Sequence, residues 1–503
     1  MDWDSFDSRL PCADPTNCGA PNCDGTPKAH CGVWSDRWGD TSASPNPSAA
    51  RGIALGDGGI VLVGYGQGTI DLGLGAPQVM DFPALVVAWV DADGGQARWA
   101  VAGSGNADVY GNAAAVGSSG EVYVLGHTSD VFTLAPWGTR VDGFASDAGF
   151  GSGDGGDGGD GGDGGGSTPG VFVARIDPGG VPEAPLFLNA ELVKDDTDPS
   201  LGLVASGTRL YALFGGDLWW WPDTADLATS KHEVTFKDKE SLSGPVFHTL
   251  VPVDGGVIVG GYNHPDGGPT TGSGFLGAGV LSDDGGASFV KAQLVTAANT
   301  GSLSKVEAVA VATCPDGSGP FIFAAGQLND ETTFPAGPTI SPPVPGVSEV
   351  FLARYEMDLT SDWVRHGAAV VQDGGQRYTS LSGPTLLAVD PRQGVLLGFS
   401  FRGQLDFDQG GTIAAFADNA DQDLGLVSFT CDGVFQWALR FGQDNVCLSC
   451  MSPTNVPNLL NGIAVNASGI FLAGTADTSI DFGSGVLSPI GAGDFVLAKL
   501  APR

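Results

Sequence analysis

Basic side chains are scarce in this chain: 22 Lys and Arg stand against 57 Asp and Glu over 503 residues, a formal net charge of −35. Such a field repels phosphate backbones and anionic bilayers, so nucleic acid is excluded as a main partner. The six histidines (His30, His127, His232, His248, His264, His366) show no H-x-H or H-E-x-x-H spacing, so no histidine metal site is expected. No run reaches 18 apolar residues, which argues against a transmembrane segment. Only 16% of residues are charged, and no long stretch of Ala, Leu, Glu and Lys recurs at helical period, which disfavours helical classes. Walker loops, Gly-x-Ser-x-Gly elbows and dinucleotide fingerprints in a strand–turn–helix setting are also missing.

Turn residues and core formers are abundant. The chain has 80 glycines and 32 prolines, yet 42% of it is hydrophobic, enough to bury a large core. Four of its eight cysteines (Cys12, Cys18, Cys23, Cys31) crowd the first 31 residues among Pro, Asn, Asp and Gly, without the paired C-x2-C knuckles of zinc modules. Disulfides and an oxidising compartment are the reading this favours, with Cys314, Cys431, Cys447 and Cys450 as the further candidates. Cys447 and Cys450 form a C-x-x-C in a loop rather than at a helix start, which reads as a staple rather than a redox pair. Met1 to Asp7 has neither a basic nor an apolar signal region, so either processing precedes this numbering or the chain is cytosolic. The cysteines favour processing, hence an extracellular or bacterial cell-surface location.

One pattern recurs from Arg51 to Arg503. Its last copy reads Asn461-Gly-Ile-Ala-Val-Asn-Ala-Ser-Gly-Ile-Phe-Leu-Ala-Gly474, then Ile480-Asp-Phe-Gly483, then Asp494-Phe-Val-Leu-Ala-Lys-Leu500. The first answers with Gly52-Ile-Ala-Leu-Gly-Asp-Gly-Gly-Ile-Val-Leu-Val-Gly64, Ile70-Asp-Leu-Gly73 and Ala84-Leu-Val-Val-Ala-Trp-Val90. Seven units start near Gly52, Asn112, Leu201, Val246, Val306, Leu386 and Gly462, the third being degenerate. Four short apolar runs per unit, with Gly or Asp at tight turns, describe one antiparallel blade whose faces stay unburied until neighbours stack on them. The expected fold is therefore all-β, a seven-bladed β-propeller of four-stranded antiparallel blades. The last unit stops at Leu500 where others go on to a fourth strand carrying a Trp (Trp99, Trp363, Trp437). Cys31-Gly-Val-Trp34-Ser-Asp-Arg-Trp38 parallels Cys431-Asp-Gly-Val-Phe-Gln-Trp437, so an N-terminal strand is expected to complete the C-terminal blade. Residues 1–30 then form a cysteine-rich arm and 31–503 a single propeller domain, with a low-complexity Gly/Asp insertion at about 150–167.

This unit resembles the bacterial secreted β-propeller repeats known as SBBP repeats, over roughly residues 31–503 and most sharply in units one, six and seven. The resemblance implies the propeller and an exported location; it implies no single activity. Residues 12–46 are similar to the stalk that follows the lipid-modified cysteine of bacterial surface lipoproteins, a cysteine that would precede this chain. Ser282-Asp-Asp284-Gly-Gly286-Ala-Ser288-Phe289 resembles an Asp box, which in sialidases and related propellers is a structural hairpin between a blade's third and fourth strands. A sialidase would also need an arginine cluster and a Tyr nucleophile; arginines are sparse, and Ser400-Phe-Arg402-Gly is only a faint echo of its motif.

Several residues are binding candidates. Asp154, Asp157, Asp160 and Asp163 recur in Gly-Asp-Gly-Gly, which suits either calcium or a solvated, disordered excursion; the missing apolar docking position favours the excursion. Calcium is the one cofactor left open. Trp219, Trp220 and Trp221 are consecutive, and alternate strand residues face opposite ways, so at least one indole is expected exposed as a platform unless all pack between blades. Trp137 joins them in the long excursion of unit two.

The leading function is an exported, non-enzymatic binding or surface-structural propeller holding a protein or glycan partner at the cell surface, as a component of an extracellular assembly. The alternative is a glycan-active propeller hydrolase, sialidase-like or another glycosidase. Connections from second to third strand, and from blade to blade, emerge at one end and carry the largest excursions, so the partner is expected there. Cys314 and Cys431 are expected at the other end with Cys31, and Cys447 and Cys450 at the partner's end.

Overall fold

The computed structural model describes residues 32–40, 48–75, 77–104, 108–129, 132–137, 170–188, 201–214, 217–222, 224, 227, 232–234, 245–263, 273–281, 287–297, 304–342, 347–370, 380–407, 411–414, 422–442, 458–488, 490 and 493–502. Its described strands form seven antiparallel blade sheets in chain order, the expected seven-bladed propeller, and a separate two-stranded hairpin of Ile480–Asp481 with Val486–Leu487. Blade one comprises Ala49–Gly56, Gly59–Ile70, Gln78–Asp91 and Ala97–Ser104. Blade two comprises Val109–Val116, Val122–Thr128, Gly170–Ile176 and Leu186–Leu188, and blade three Leu201–Ser206, Arg209–Phe214, Asp217–Trp221 and His232–Val234. Blade four comprises Pro245–Val253, Gly256–Asn263, Ser273–Leu281 and Ala287–Ala297; blade five Ser304–Ala312, Phe321–Leu328, Glu349–Tyr355 and Ser361–Ala369. Blade six comprises Ser380–Asp390, Gly394–Arg402, Asp423–Phe429 and Phe435–Phe441.

Blade seven closes the ring as its missing fourth strand requires. Leu459–Asn466, Gly469–Ala476 and Asp494–Leu500 are completed by Gly32–Trp38, which pairs from Gly32↔Leu500 to Trp38↔Phe495. Arg37 on that strand and Asp494 form an ion pair buried on both sides, and Arg37 also donates to the carbonyls of Ala476, Thr478 and Leu487. The first strands pack successively on one another around the centre, the last on the first. Between blades the core is apolar on both sheet faces, which is why central strands such as Val86–Val90 read as continuous hydrophobic runs.

The Ile-Asp-Phe-Gly run is not one of a blade's four strands. It lies in the connection from second to third strand and reaches back over the preceding blade. Thr332–Thr333 pairs with the outer strand of blade four, and Gln404–Phe407 with that of blade five. Thr133–Pro136 does the same on blade one, Phe482 packs on Phe441 of blade six at 5.1 Å, and Ile70 bridges Asp40 beside blade seven. The motif's outer positions are buried (Ile70 and Leu72, Leu405 and Phe407, Ile480 and Phe482) while Asp71 and Asp406 between them face out. This period of two belongs to a strap lying flat on a sheet edge, and it covers edges that would otherwise template association.

Cys314, in the turn after the first strand of blade five, and Cys431, in the turn before the last strand of blade six, form a disulfide. Both lie at one end of the disc, as alternate turns of an antiparallel meander require. Trp363 Nε1 and Arg354 Nη1 both donate to the Cys431 carbonyl, at 3.0 and 2.9 Å, tying the same two blades. Cys12, Cys18, Cys23, Cys31, Cys447 and Cys450 lie outside the described residues.

Candidate functional site

The first strand of five blades carries one extra residue opposite its partner strand. The bulged residues are Arg51, Asn112, His248, Glu307 and Asn461, each at the same level near the start of its strand. Blade six has a longer irregularity, Gly383 to Thr385, between Ser382 and Leu386. The degenerate blade three pairs without interruption from Leu201 to Ser206. A bulge re-aims a side chain out of strict alternation, and here it presents a polar group where apolar packing would be expected.

The glycine of the Leu-Ala-Gly repeat motif exists for this bulge. A Cβ on Gly64, Gly126, Gly261, Gly326 or Gly474 would meet the carbonyl oxygen of Ala49, Tyr110, Val246, Lys305 or Leu459 at 1.9 to 2.2 Å. That is the residue two before the bulged one in every case. The repeat therefore conserves space beside the bulge from blade to blade rather than a turn.

These residues sit at the end of the channel where the straps and blade-to-blade connections emerge, and they form two clusters. In blades one and two, the exposed Arg51 guanidinium lies over the Tyr65 ring at 5.4 Å. Tyr65 meets Tyr110 edge-on at 4.8 Å, Tyr110 stacks on His127 at 4.8 Å, and His127 Nδ1 lies 3.1 Å from Asn112 Oδ1. An amide oxygen accepts, so Nδ1 carries the proton of this bond. In blades four and five, His248 stacks on Tyr262 at 5.1 Å and the Lys305 ammonium lies over the same ring at 5.6 Å. Tyr65 and Tyr262 occupy equivalent positions, each one residue after the motif glycine.

Glu307 Oε2 accepts the Thr385 amide at 2.9 Å across the blade five–six boundary, and Gln327 Nε2 donates to Gly383 O at 3.0 Å. Burial pushes the Glu307 carboxyl up from its ordinary range, and the opposing pull of Lys305 is smaller. Asn461 Nδ2 donates to Ala50 O at 2.7 Å and joins blade seven to blade one. The seven first strands hold only two carboxylates, Glu307 at this mouth and Asp390 at the far end, where Arg392 pairs with it. In a chain of charge −35, the channel wall is close to neutral.

The opposite mouth is built differently. First-to-second-strand turns of blades one, two and seven, with Asp57, Ser118 and Ser468, and the third-to-fourth-strand turn of blade one, with Asp93, line a cavity of about 590 Å³. Its turns are closed locally, as where Ser468 N donates to Asn466 Oδ1 at 2.8 Å.

The indole platform expected at Trp219–Trp221 is corrected: all three indoles are buried. Trp219 and Trp221 pack with Leu125, Val173 and Leu203 toward blade two, while Trp220 packs with Phe247 and Val259 toward blade four. Alternation does send them to opposite faces, but a blade is covered on both faces, so neither parity meets solvent. Trp137 follows the strap on blade one, half-buried, its amide donating to Ala100 O at 2.8 Å. Asp154, Asp157, Asp160 and Asp163 lie outside the described residues, as does the Asp-box turn 282–286, although Leu281↔Ala287 pairing flanks it. Among the described residues no group of three His, Cys, Asp or Glu side chains is placed to hold a metal ion, and no helix is long and apolar enough to cross a membrane.

No family model matches the chain, and no curated protein does. Among solved structures it is similar to the extracellular domains 1–2 of Drosophila semaphorin 1b, at 8% identity over 94% of this chain and 87% of that one, TM-score 0.43. A glycosyl hydrolase from Bacteroides ovatus matches at 11% identity over 77% and 85% of the two chains, TM-score 0.30. A thermostable family-43 glycoside hydrolase matches at 10% identity over 61% and 90%, TM-score 0.27.

Proposed function

We propose that this chain is an exported, non-enzymatic binding propeller that holds a glycan or protein partner at the strap end of its channel. The observation that carries the reading is the set of five register-matched bulges. A strand that served packing alone would keep its alternation, whereas these present Arg51, Asn112, His248, Glu307 and Asn461 at one level of one mouth. The scaffold beneath is rigid on both sheet faces, which suits pre-organised recognition.

The glycosidase reading asks for two carboxyl groups about 5 to 9.5 Å apart. On the described first strands the mouth offers Glu307 alone. Screening the purified protein on a glycan array and against candidate surface proteins, with product analysis of every glycan retained, separates the two. Reversible retention without cleavage supports binding; turnover of a retained glycan would establish the hydrolase.

A further inference from the structure

The cations of the mouth are mounted in a repeated way. Arg51 lies over Tyr65 in blade one, and Lys305 over Tyr262 between blades five and four. The two tyrosines are structural equivalents three blades apart, so two positive charges stand on different sectors of one rim. Each is held by a ring face, which fixes its position without neutralising its charge. Among the described residues Arg51 has no carboxylate within ion-pair distance. Lys305 does interact with Glu307 on its own strand, but burial pushes that carboxyl up and its Oε2 is turned to the Thr385 amide, so the Lys305 charge is offset only in part. Elsewhere basic residues are rare and mostly paired: Arg37, Arg98, Arg175, Arg354 and Arg392 each face a carboxylate.

We propose that the mouth takes a carboxylate-bearing sugar chain, a uronate-type glycan whose acid groups meet Arg51 and Lys305. The inference rests on the binding reading above and names its ligand class. Amide and phenol groups of Asn112, Gln327, Tyr110 and Tyr262 alternate with the two cations around the rim, donors and acceptors that match a ring bearing both hydroxyls and a carboxylate. An acidic peptide would bring carboxylates with backbone donors and acceptors of its own, so polyglutamate is the competitor against which the sugar class is tested. The net charge of −35 repels a polyanion at long range, so the contact operates within the roughly 8 Å Debye length of physiological salt.

The test is titration of the full chain at physiological salt with three probes: oligogalacturonate, the same oligomer fully methyl-esterified, and polyglutamate. The expected result is binding of oligogalacturonate, with the ester at least about tenfold weaker. Arg51→Gln and Lys305→Gln should each weaken it by about tenfold at unchanged melting temperature. Asp57→Asn at the opposite mouth should bind as wild type. Equal binding of acid and ester, both weakened by Asn112→Ala, would overturn the anionic ligand while leaving the mouth as the binding site. Polyglutamate binding as tightly as the uronate would overturn the sugar class. Absence of any binding to these probes would overturn the inference, and the array screen would then judge the wider reading by itself.

Discussion

Arg37 and Asp494 meet in a buried ion pair although 457 positions separate them in the chain. The pair joins the first strand of the fold to the last. Its guanidinium also satisfies three carbonyls of blade seven's second strand and strap, so little of its donor capacity is left unmet. Burial lowers the Arg37 pKa, and Asp494 opposes that shift. Asp494→Asn removes the main counter-charge of a buried cation, leaving only the weaker influence of Asp477, and should cost about 3 kcal/mol in chemical denaturation. Deleting residues 1–40 should go further, exposing the edge of Asp494–Leu500 and promoting association in sedimentation runs. A truncated chain that stayed monomeric with unchanged melting would refute closure by this strand.

The Cys314–Cys431 bridge spans 117 residues and links two neighbouring blades. A loop of that length, closed in the unfolded chain, corresponds to about 5 kcal/mol of stabilisation in the chain-entropy description. Replacing both cysteines by serine should lower stability in that range, and non-reducing peptide mapping of the native protein should recover the two peptides together. Finding both thiols free would contradict the pairing.

Glu349 begins the third strand of blade five, where blade seven has Asp494, but among the described residues no arginine pairs with it. Its Oε1 accepts the Ala369 amide at 2.8 Å while Oε2 is buried without a partner. Desolvation pushes its pKa up to about 7. A folded-state pKa above the unfolded value means the native state binds more protons between roughly pH 4.5 and 7, so stability falls as pH rises through that window. The loss approaches about 3 kcal/mol above pH 7. Glu349→Gln keeps an acceptor for Ala369 and removes the ionisation, so it should be more stable than the parent at pH 8 and nearly equal at pH 4. Parallel pH–stability curves for the two proteins would show that the Glu349 pKa is the same in the folded and unfolded chain, against the upward shift.

Much of this architecture is legible in the sequence because a propeller repeats its instructions. The seven units, the borrowed strand at Gly32–Trp38 and the shared end of Cys314 and Cys431 all follow from counting antiparallel strands. The indole trio misleads because period-two reasoning assumes one wet face, and Trp219 and Trp220 each have a blade to pack on. The Ile-Asp-Phe-Gly run alternates like any strand, so only pairing reveals it as a strap on the neighbouring blade. The mouth was least visible. Arg51, Asn112, His248, Glu307 and Asn461 differ in chemistry and align only once the bulge register is known. The signal that could have found them is their constant placement before the apolar first-strand run, together with the motif glycine that follows 13 or 14 residues later in blades one, two, four and seven and 19 later in blade five.

The central claim is that recognition occurs at the strap end of the channel. The most direct measurement is the affinity of the array-identified partner for paired variants of the two mouths: Asn112→Ala and His248→Ala at one, Asp57→Ala and Ser118→Ala at the other. The account expects losses on the order of 2 kcal/mol for one or both of the first pair and none for the second. Normal binding by both strap-end variants, with binding abolished by Asp57→Ala or Ser118→Ala, would contradict it.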